Sequence, residues 1–286
     1  MIPQSIRKVL LKEWDIHITD MHSVSGGCIN QTVVLSTEKG SYFLKVNADV
    51  PQDFFIRESE GLGALRSAGT GLIVPEVIAA DAPQADQPGY LLMEYIPTAS
   101  RGEAFDFGSR LARLHQQTRK QFGFDHDNYI GRLPQSNQWM DEWIDFFCAQ
   151  RIEPQLRQAI DSGKIDAQWH LHWDRLVGRL DQLIPDCAPS LLHGDLWSGN
   201  YMFHTDGRAV LIDPAVYYGH PEMDLAFSKL FGGFDAAFYQ GYEEINPLEP
   251  GFSTRMDIHN LYPLLVHVNL FGGHYNYSVT NILSRF

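Results

Sequence analysis

The residues most suited to chemistry in this chain are His193-Gly194-Asp195-Leu196-Trp197-Ser198-Gly199-Asn200, with Ile212-Asp213-Pro214 following. Asp195 and Asn200 stand five apart, and Asp213 lies thirteen residues beyond Asn200. A short loop can therefore bring a carboxylate and an amide to one point. Phosphoryl transfer to an alcohol calls for such groups. One carboxylate receives the hydroxyl proton, and an amide with a second carboxylate holds Mg²⁺. The plain alternative is a turn rich in Gly, Asp and Asn.

The protein-kinase catalytic loop has its Asp and Asn at the same spacing, with a metal-binding Asp on the next strand. Here HGD-x₄-N stands where kinases have HRD-x₄-N, and IDP stands where they have DFG. On this pattern Asp195 is the base, and Asn200 and Asp213 are the magnesium ligands. Each half is weak alone. Their conjunction, in a helical region that follows a strand-rich one, gives the pattern its specificity.

The N-terminal part offers the partners that a nucleotide requires. In Tyr42-Phe43-Leu44-Lys45-Val46, alternation places Lys45 on the face opposite Leu44 and Val46. A lysine on such a strand can reach the α- and β-phosphates of ATP. Glu58, on the next helix, is the expected partner of Lys45. Glu60 is the rival, but two residues on a helix is about 200° of rotation, so only one of them faces the lysine. Ser25-Gly26-Gly27-Cys28-Ile29-Asn30-Gln31 lies before the Lys45 strand. Gly26 and Gly27 there let backbone N–H groups approach phosphate oxygens. Leu91-Leu92-Met93-Glu94-Tyr95-Ile96 ends the strand-rich part. Leu92, Met93, Glu94 and Ile96 complete the expected nucleotide-binding set. In kinase-like hinges a Glu carbonyl and the N–H two residues later bind the adenine edge, so by position Glu94 and Ile96 are expected to take those roles.

These groups need elements to hold them. Ile2, Ile6, Val9, Leu10 and Trp14 follow helical spacing. Strands are predicted over 29–37, 41–47, 73–80 and 90–95, with a helix over 52–68. Beyond Ile96-Pro97 the pattern becomes helical, over 103–117, 138–160 and 166–184. Short strands return at 190–192, 201–203 and 209–212, and a mostly helical tail runs from 222 to 282. The fold class read from this order is α+β and two-lobed. A small β-rich nucleotide-binding lobe, 1–95, precedes a larger helical catalytic and substrate-binding lobe, 96–286, with a hinge near Glu94–Pro97. The aromatics Trp139, Trp143, Phe146 and Phe147 read as core. His170 and His172 diverge on a helix and do not make a metal site.

The chain has 286 residues, 44% of them hydrophobic, and a formal net charge of −13. That charge excludes broad binding to nucleic acid or an anionic membrane surface. No apolar run is long enough to span a bilayer, and the first residues do not read as a signal peptide. Three scattered cysteines, Cys28, Cys148 and Cys187, suit a reducing cytoplasm rather than a disulfide scaffold.

Together these motifs resemble the fructosamine kinase, or ketosamine-3-kinase, family within the aminoglycoside-phosphotransferase-like branch of the protein-kinase-like fold. The resemblance covers nearly the whole chain. It is carried by SGGCINQ, ESEGL, VPEVI, FGFDHDNYIG with LPQ, FF-x-AQRI-x-PQL, LLHGDLWSGN, IDPAVYYGHPEMDLA and FGGF. It implies an ATP- and Mg²⁺-dependent kinase that phosphorylates O3 of the sugar in a ketosamine, small or protein-bound. The phosphorylated adduct then decomposes and frees the amine. It implies the roles given above for Asp195, Asn200, Asp213 and Lys45.

Around the site, Trp197 can stack on a sugar, and Tyr218, His220 and Glu222 can line its pocket, a carboxylate suiting the cationic ketosamine nitrogen. Asp224 reads as a structural group that caps a helix or binds the catalytic loop. His193 reads as a support for the loop backbone. Cys28 lies in the phosphate loop, where N–H groups and Lys45 favour the thiolate, which would make it a target of inhibitory mild oxidation; the alternative is a small buried thiol that packs against the sheet. The oligomer is expected to be a monomer or homodimer. The alternatives are an aminoglycoside- or choline-kinase-like phosphotransferase, or an inactive nucleotide-binding module.

Overall fold

The computed structural model describes residues 2–24, 30–273 and 275–285. The chain begins with α1 (Gln4–Trp14), β1 (Ile18–Ser23), β2 (Gln31–Thr37), β3 (Gly40–Asn47), α2 (Phe54–Ser67), β4 (Val77–Asp81), β5 (Gly89–Glu94) and β6 (Thr98–Ala99). Next come α3 (Ala104–His115), β7 (Asn128–Ile130), β8 (Leu133–Gln135) and α4 (Trp143–Phe146). A π-helical turn, Phe147–Ile152, joins α4 to α5 (Glu153–Asp161). Then follow α6 (Trp169–Val177), α7 (Leu180–Leu183), β9 (Ser190–Leu192), β10 (Tyr201–His204), β11 (Ala209–Leu211) and β12 (Tyr217–Gly219). The chain closes with α8 (Glu222–Leu230), α9 (Ala236–Ile245), α10 (Phe252–Phe271) and α11 (Tyr275–Leu283).

The chain divides into two compact units. The first comprises Met1–Glu103 and Tyr201–Pro214, the second Ala104–Asn200 and Ala215–Phe286. The first unit holds an antiparallel sheet ordered β1-β2-β3-β5-β4. Its core lies on one sheet face, where Ile6 and Leu10 of α1 meet Leu35, Leu44, Val46 and Leu92. Trp14, expected on this apolar face, is 42% exposed at the end of the helix. Strand alternation turns Lys45 to the other face, paired in register with Leu91.

Residues 201–214 join this unit through backbone pairing. β10 pairs with β11 and β6, and Ile73 exchanges hydrogen bonds with Ala209 and Leu211 at 2.9 Å. The first stretch of this packing unit thus ends at Glu103, and a later hairpin, 201–214, returns to it.

The second unit is helical around a core that includes Trp143, Phe146, Phe147, Leu192, Tyr217, Ile258 and Leu265. Two hairpin-like pairs, β7–β8 and β9–β12, lie within it. The helix predicted over 138–160 begins only at Trp143 and carries the π turn. The helix predicted over 166–184 is interrupted at Gly178.

Candidate active site

In the first unit, Lys45 is 3% exposed, and its Nζ donates to Glu58 Oε1 at 2.5 Å and to Asp213 Oδ1. Burial alone would lower the ammonium's pKa, but Asp213 and Glu58 outweigh it and push that pKa above the ordinary lysine value. Lys45 is therefore a fixed cation. Glu60 turns away and accepts from Arg57 at 2.9 Å, so α2 presents Glu58 alone to the lysine. Asp213 follows β11 with φ +53°, a left-handed conformation that Asp tolerates better than most residues. Its side chain stays 41% exposed, so it is not consumed by the lysine.

The residues expected to bind the nucleotide at the end of β5 separate by face. Leu92 pairs with Leu44 and packs in the α1-side core, so its side chain lies on the face opposite Lys45. That corrects its place in the nucleotide-binding set: alternation gives the Lys45 face to Leu91 and Met93. The exposed Glu94 carboxylate accepts from the Glu76 N–H at 3.2 Å, and Ile96 is half-buried. Gly26, Gly27 and Cys28 lie outside the described residues.

In the second unit, the loop His193–Asn200 leaves β9. Asn200 is 5% exposed, and its Nδ2 donates to the Asp195 main-chain oxygen and to Asp195 Oδ2, each at 2.8 Å. Both amide hydrogens are thereby used, which leaves the Asn200 amide oxygen for a cation. A hard oxygen donor of this kind suits Mg²⁺. His193 Nδ1 accepts the Asp195 N–H at 3.3 Å, so this imidazole supports the loop backbone. Gly194 has φ +82°, and a Cβ there would stand 2.0 Å from the Ala215 oxygen. The tight passage of the loop past residue 215 therefore requires glycine.

Asp224, on the first turn of α8, holds this loop. Its carboxylate accepts the N–H groups of His193 at 2.8 Å and Gly194 at 2.9 Å, and meets His115 Nε2 at 3.2 Å. His115 is held in turn by the Tyr242 hydroxyl at 2.8 Å. Burial would raise the Asp224 carboxyl pKa, but these donors keep it below the ordinary aspartate value. His115 and Tyr242 carry no motif of their own. Only the apolar spacing of α3 and α9 brings them to Asp224.

The expected sugar-pocket residues do not share one environment. Trp197 is 37% exposed and meets Phe231 edge-on at 6.3 Å. Its ring lies over Gly199, where a Cβ would come within 2.3 Å of it. Tyr218 borders Phe124 and Trp139, with the Arg119 guanidinium 5.4 Å from its ring centre.

His220 and Glu222 are 2% and 3% exposed and face the interior, which corrects their place in the pocket. Arg255 donates to both Glu222 oxygens, at 2.8 and 2.7 Å. His259 Nε2 lies 3.3 Å from Glu222 Oε2. The carboxylate expected to face a cationic substrate thus faces an internal arginine. His220, Glu222 and His259 bring their ligand atoms within 4.8 Å of one another, the spacing of a metal site. Arg255 already neutralises the carboxylate, however, and His220 Nδ1 accepts the Glu222 N–H at 3.2 Å. The cluster is an ion-pair network that anchors the start of α8.

The fructosamine kinase family model matches residues 2–286. A protein of Lactiplantibacillus plantarum named "Probable ketoamine kinase" is 40% identical over 97% of this chain and 99% of its own. The chloroplastic protein-ribulosamine 3-kinase of Arabidopsis thaliana is 36% identical over 100% of this chain and 88% of its own. A crystal structure of a Haemophilus somnus 129PT protein named "Putative fructosamine-3-kinase" superposes with TM-score 0.87 at 29% identity, covering 98% of this chain and 96% of that one. An aminoglycoside phosphotransferase solved with AMP-PNP and hygromycin B, 16% identical, superposes with TM-score 0.64 over 99% of this chain and 96% of its own. That likeness shows the fold, which is α+β and protein-kinase-like. The chain belongs to the fructosamine kinase family.

Proposed function

We propose that the protein transfers the γ-phosphoryl group of ATP to the O3 hydroxyl of a ketosamine sugar. The observation that carries the reading is the buried Lys45, bonded at once to Glu58 and Asp213. A lysine fixed between a helical glutamate and the IDP aspartate is suited to the nucleotide's phosphates. Asp195 accepts the hydroxyl proton, and the amide of Asn200 fixes its carboxylate. Asn200 and Asp213 supply the oxygen ligands for Mg²⁺, which neutralises charge on the phosphates when bound. Trp197, exposed beside the base, offers a face for the sugar. The lobes 1–95 and 96–286 act as the nucleotide-binding and catalytic parts. The names of the relatives support a ketosamine acceptor. The 3-phosphate is unstable, so the amine is released and the reaction amounts to deglycation. The net charge of −13 favours a small or protein-bound ketosamine over a polyanion.

The test is ATP turnover against ribulosyl-lysine, fructosyl-lysine, kanamycin and choline measured side by side. Ketosamine turnover is expected, with ribulosyl-lysine the better of the two. Turnover confined to kanamycin or choline would move the protein to another acceptor class.

A further inference from the structure

Arg151 is 0% exposed, and among the described residues no carboxylate pairs with it. Its guanidinium lies between rings instead, 3.9 Å from the centre of Tyr217, 4.6 Å from Phe146 and 5.5 Å from Tyr262. The π turn Phe147–Ile152 carries it. Nη1 donates to the Ser136 oxygen at 2.5 Å, and Nη2 to Asn137 Oδ1 at 2.7 Å. A buried guanidinium without a carboxylate carries a desolvation cost, which the surrounding ring faces and oxygen acceptors offset. What the cation supplies here is direction, through a planar fork with fixed bond angles.

That direction is passed along a continuous network. Asn137 Nδ2 donates to Asn128 Oδ1 at 2.9 Å, and Asn128 Nδ2 donates to the Val216 oxygen at 2.8 Å. Gln135 Nε2 bridges Asn128 Oδ1 at 2.8 Å and the Ala215 oxygen at 3.0 Å. The Tyr262 hydroxyl donates to Gln135 Oε1 at 2.7 Å. The segment Ala215-Val216-Tyr217 is thus held at two carbonyls and one ring. Its Ala215 N–H donates to the His193 oxygen at 2.9 Å, at the start of the loop that carries Asp195.

We propose that Arg151 is a positioning residue for phosphoryl transfer, fixing through residues 215–217 the stretch against which the Asp195 loop is registered. It touches no substrate. Its effect is on the placement of the base, where a shift of about 1 Å can cost about 10²-fold in rate. The proposal rests on the reading of Asp195 as the base.

The experiment compares Arg151→Met and Arg151→Lys with wild type, using the acceptor that the wild type phosphorylates. Measured are kcat, both KM values, thermal stability and the fraction of enzyme that binds nucleotide. For Arg151→Met the expected result is kcat at least tenfold lower, KM for ATP within twofold, and an unchanged nucleotide-binding fraction. Arg151→Lys, which restores the charge and one bond, is expected to fall between. A kcat within twofold of wild type in Arg151→Met overturns the proposal. So does a loss that only follows the fraction of folded protein. If Arg151→Met does not fold, Tyr262→Phe decides. It keeps the ring and removes only the bond to Gln135, so reduced kcat at unchanged KM supports the proposal and wild-type kcat overturns it. Failure of the ketosamine reading would appear in the wild type alone, as phosphorylation of another alcohol. The ratio between variant and wild type is then read with that alcohol.

Discussion

Asn200 spends both hydrogens of its amide on Asp195, one on the main-chain oxygen and one on the carboxylate. The stretch Asp195–Asn200 is thereby closed on itself, and the carboxylate's rotamer is set by this bond. In the proposed reaction, the residue that orients the base would also offer its amide oxygen to the metal. Loss of Asn200 would therefore damage two functions together.

Asp195→Asn is expected to keep nucleotide binding and lose most turnover. Removal of a general base costs about 10²–10⁴-fold, and this substitution hardly changes shape. Steady-state assay with nucleotide titration checks it. More than half of wild-type turnover would remove Asp195 from the role.

Asp213→Asn should act differently, weakening the apparent affinity for Mg²⁺ as well as the rate, because a ligand acts through the ion. Lys45→Met should chiefly raise KM for ATP. It also leaves Glu58 and Asp213 facing each other without their cation, so its thermal stability should fall. A Mg²⁺ titration for the first, and unfolding curves with ATP kinetics for the second, read these outcomes.

Stability should decline in acid in two windows. Burial, then the neighbouring His259, holds the His220 imidazole down at about 3, so unfolding below the ordinary value of 6.5 takes up a proton. That contribution is complete above pH 6.5 and is lost as pH falls toward 3. Burial would raise Glu222, but Arg255 and His259 hold it at about 2, so its contribution is complete above 4.5 and is lost between 4.5 and 2. Thermal melts of wild type and His220→Gln from pH 7.5 to 4 should show a shallower decline in the variant. Arg255→Met, which strands the buried Glu222 charge, should cost about 3–5 kcal/mol. Arg255→Met with Glu222→Leu should recover much of it.

Oxidation by diamide should inhibit the enzyme reversibly through Cys28. Burial pushes the thiols of Cys148 and Cys187 up to about 12, so neither offers a thiolate near neutral pH. Wild type and Cys28→Ser are assayed before and after dithiothreitol. Equal inhibition of both, or of neither, would dismiss the switch.

Strand alternation sufficed to place Lys45 opposite Leu44, and helical rotation sufficed to separate Glu58 from Glu60, because both patterns are local. β1 was not legible, since its residues are mostly exposed and show no period of two. Glu222 and His220 were misplaced for a different reason. A carboxylate near a motif reads as available, whereas its partner Arg255 lies 33 residues away on a helix with no motif. Arg151 hid in the same way, as one charge within an aromatic stretch, and only the fold shows the rings around it.

The return of Tyr201–Pro214 to the first unit has a consequence for how the molecule can be divided. The polypeptide changes units at Glu103/Ala104, again at Asn200/Tyr201, and again at Pro214/Ala215. No single scission separates the two bodies. A gene fragment ending at residue 103 would encode β6 without its partner strand and Lys45 without Asp213. Such a product would expose an unpaired edge and an ill-matched charge. The sheet-bearing unit is thus not a portable module. To be made alone, it needs the hairpin 201–214 spliced back by an artificial linker.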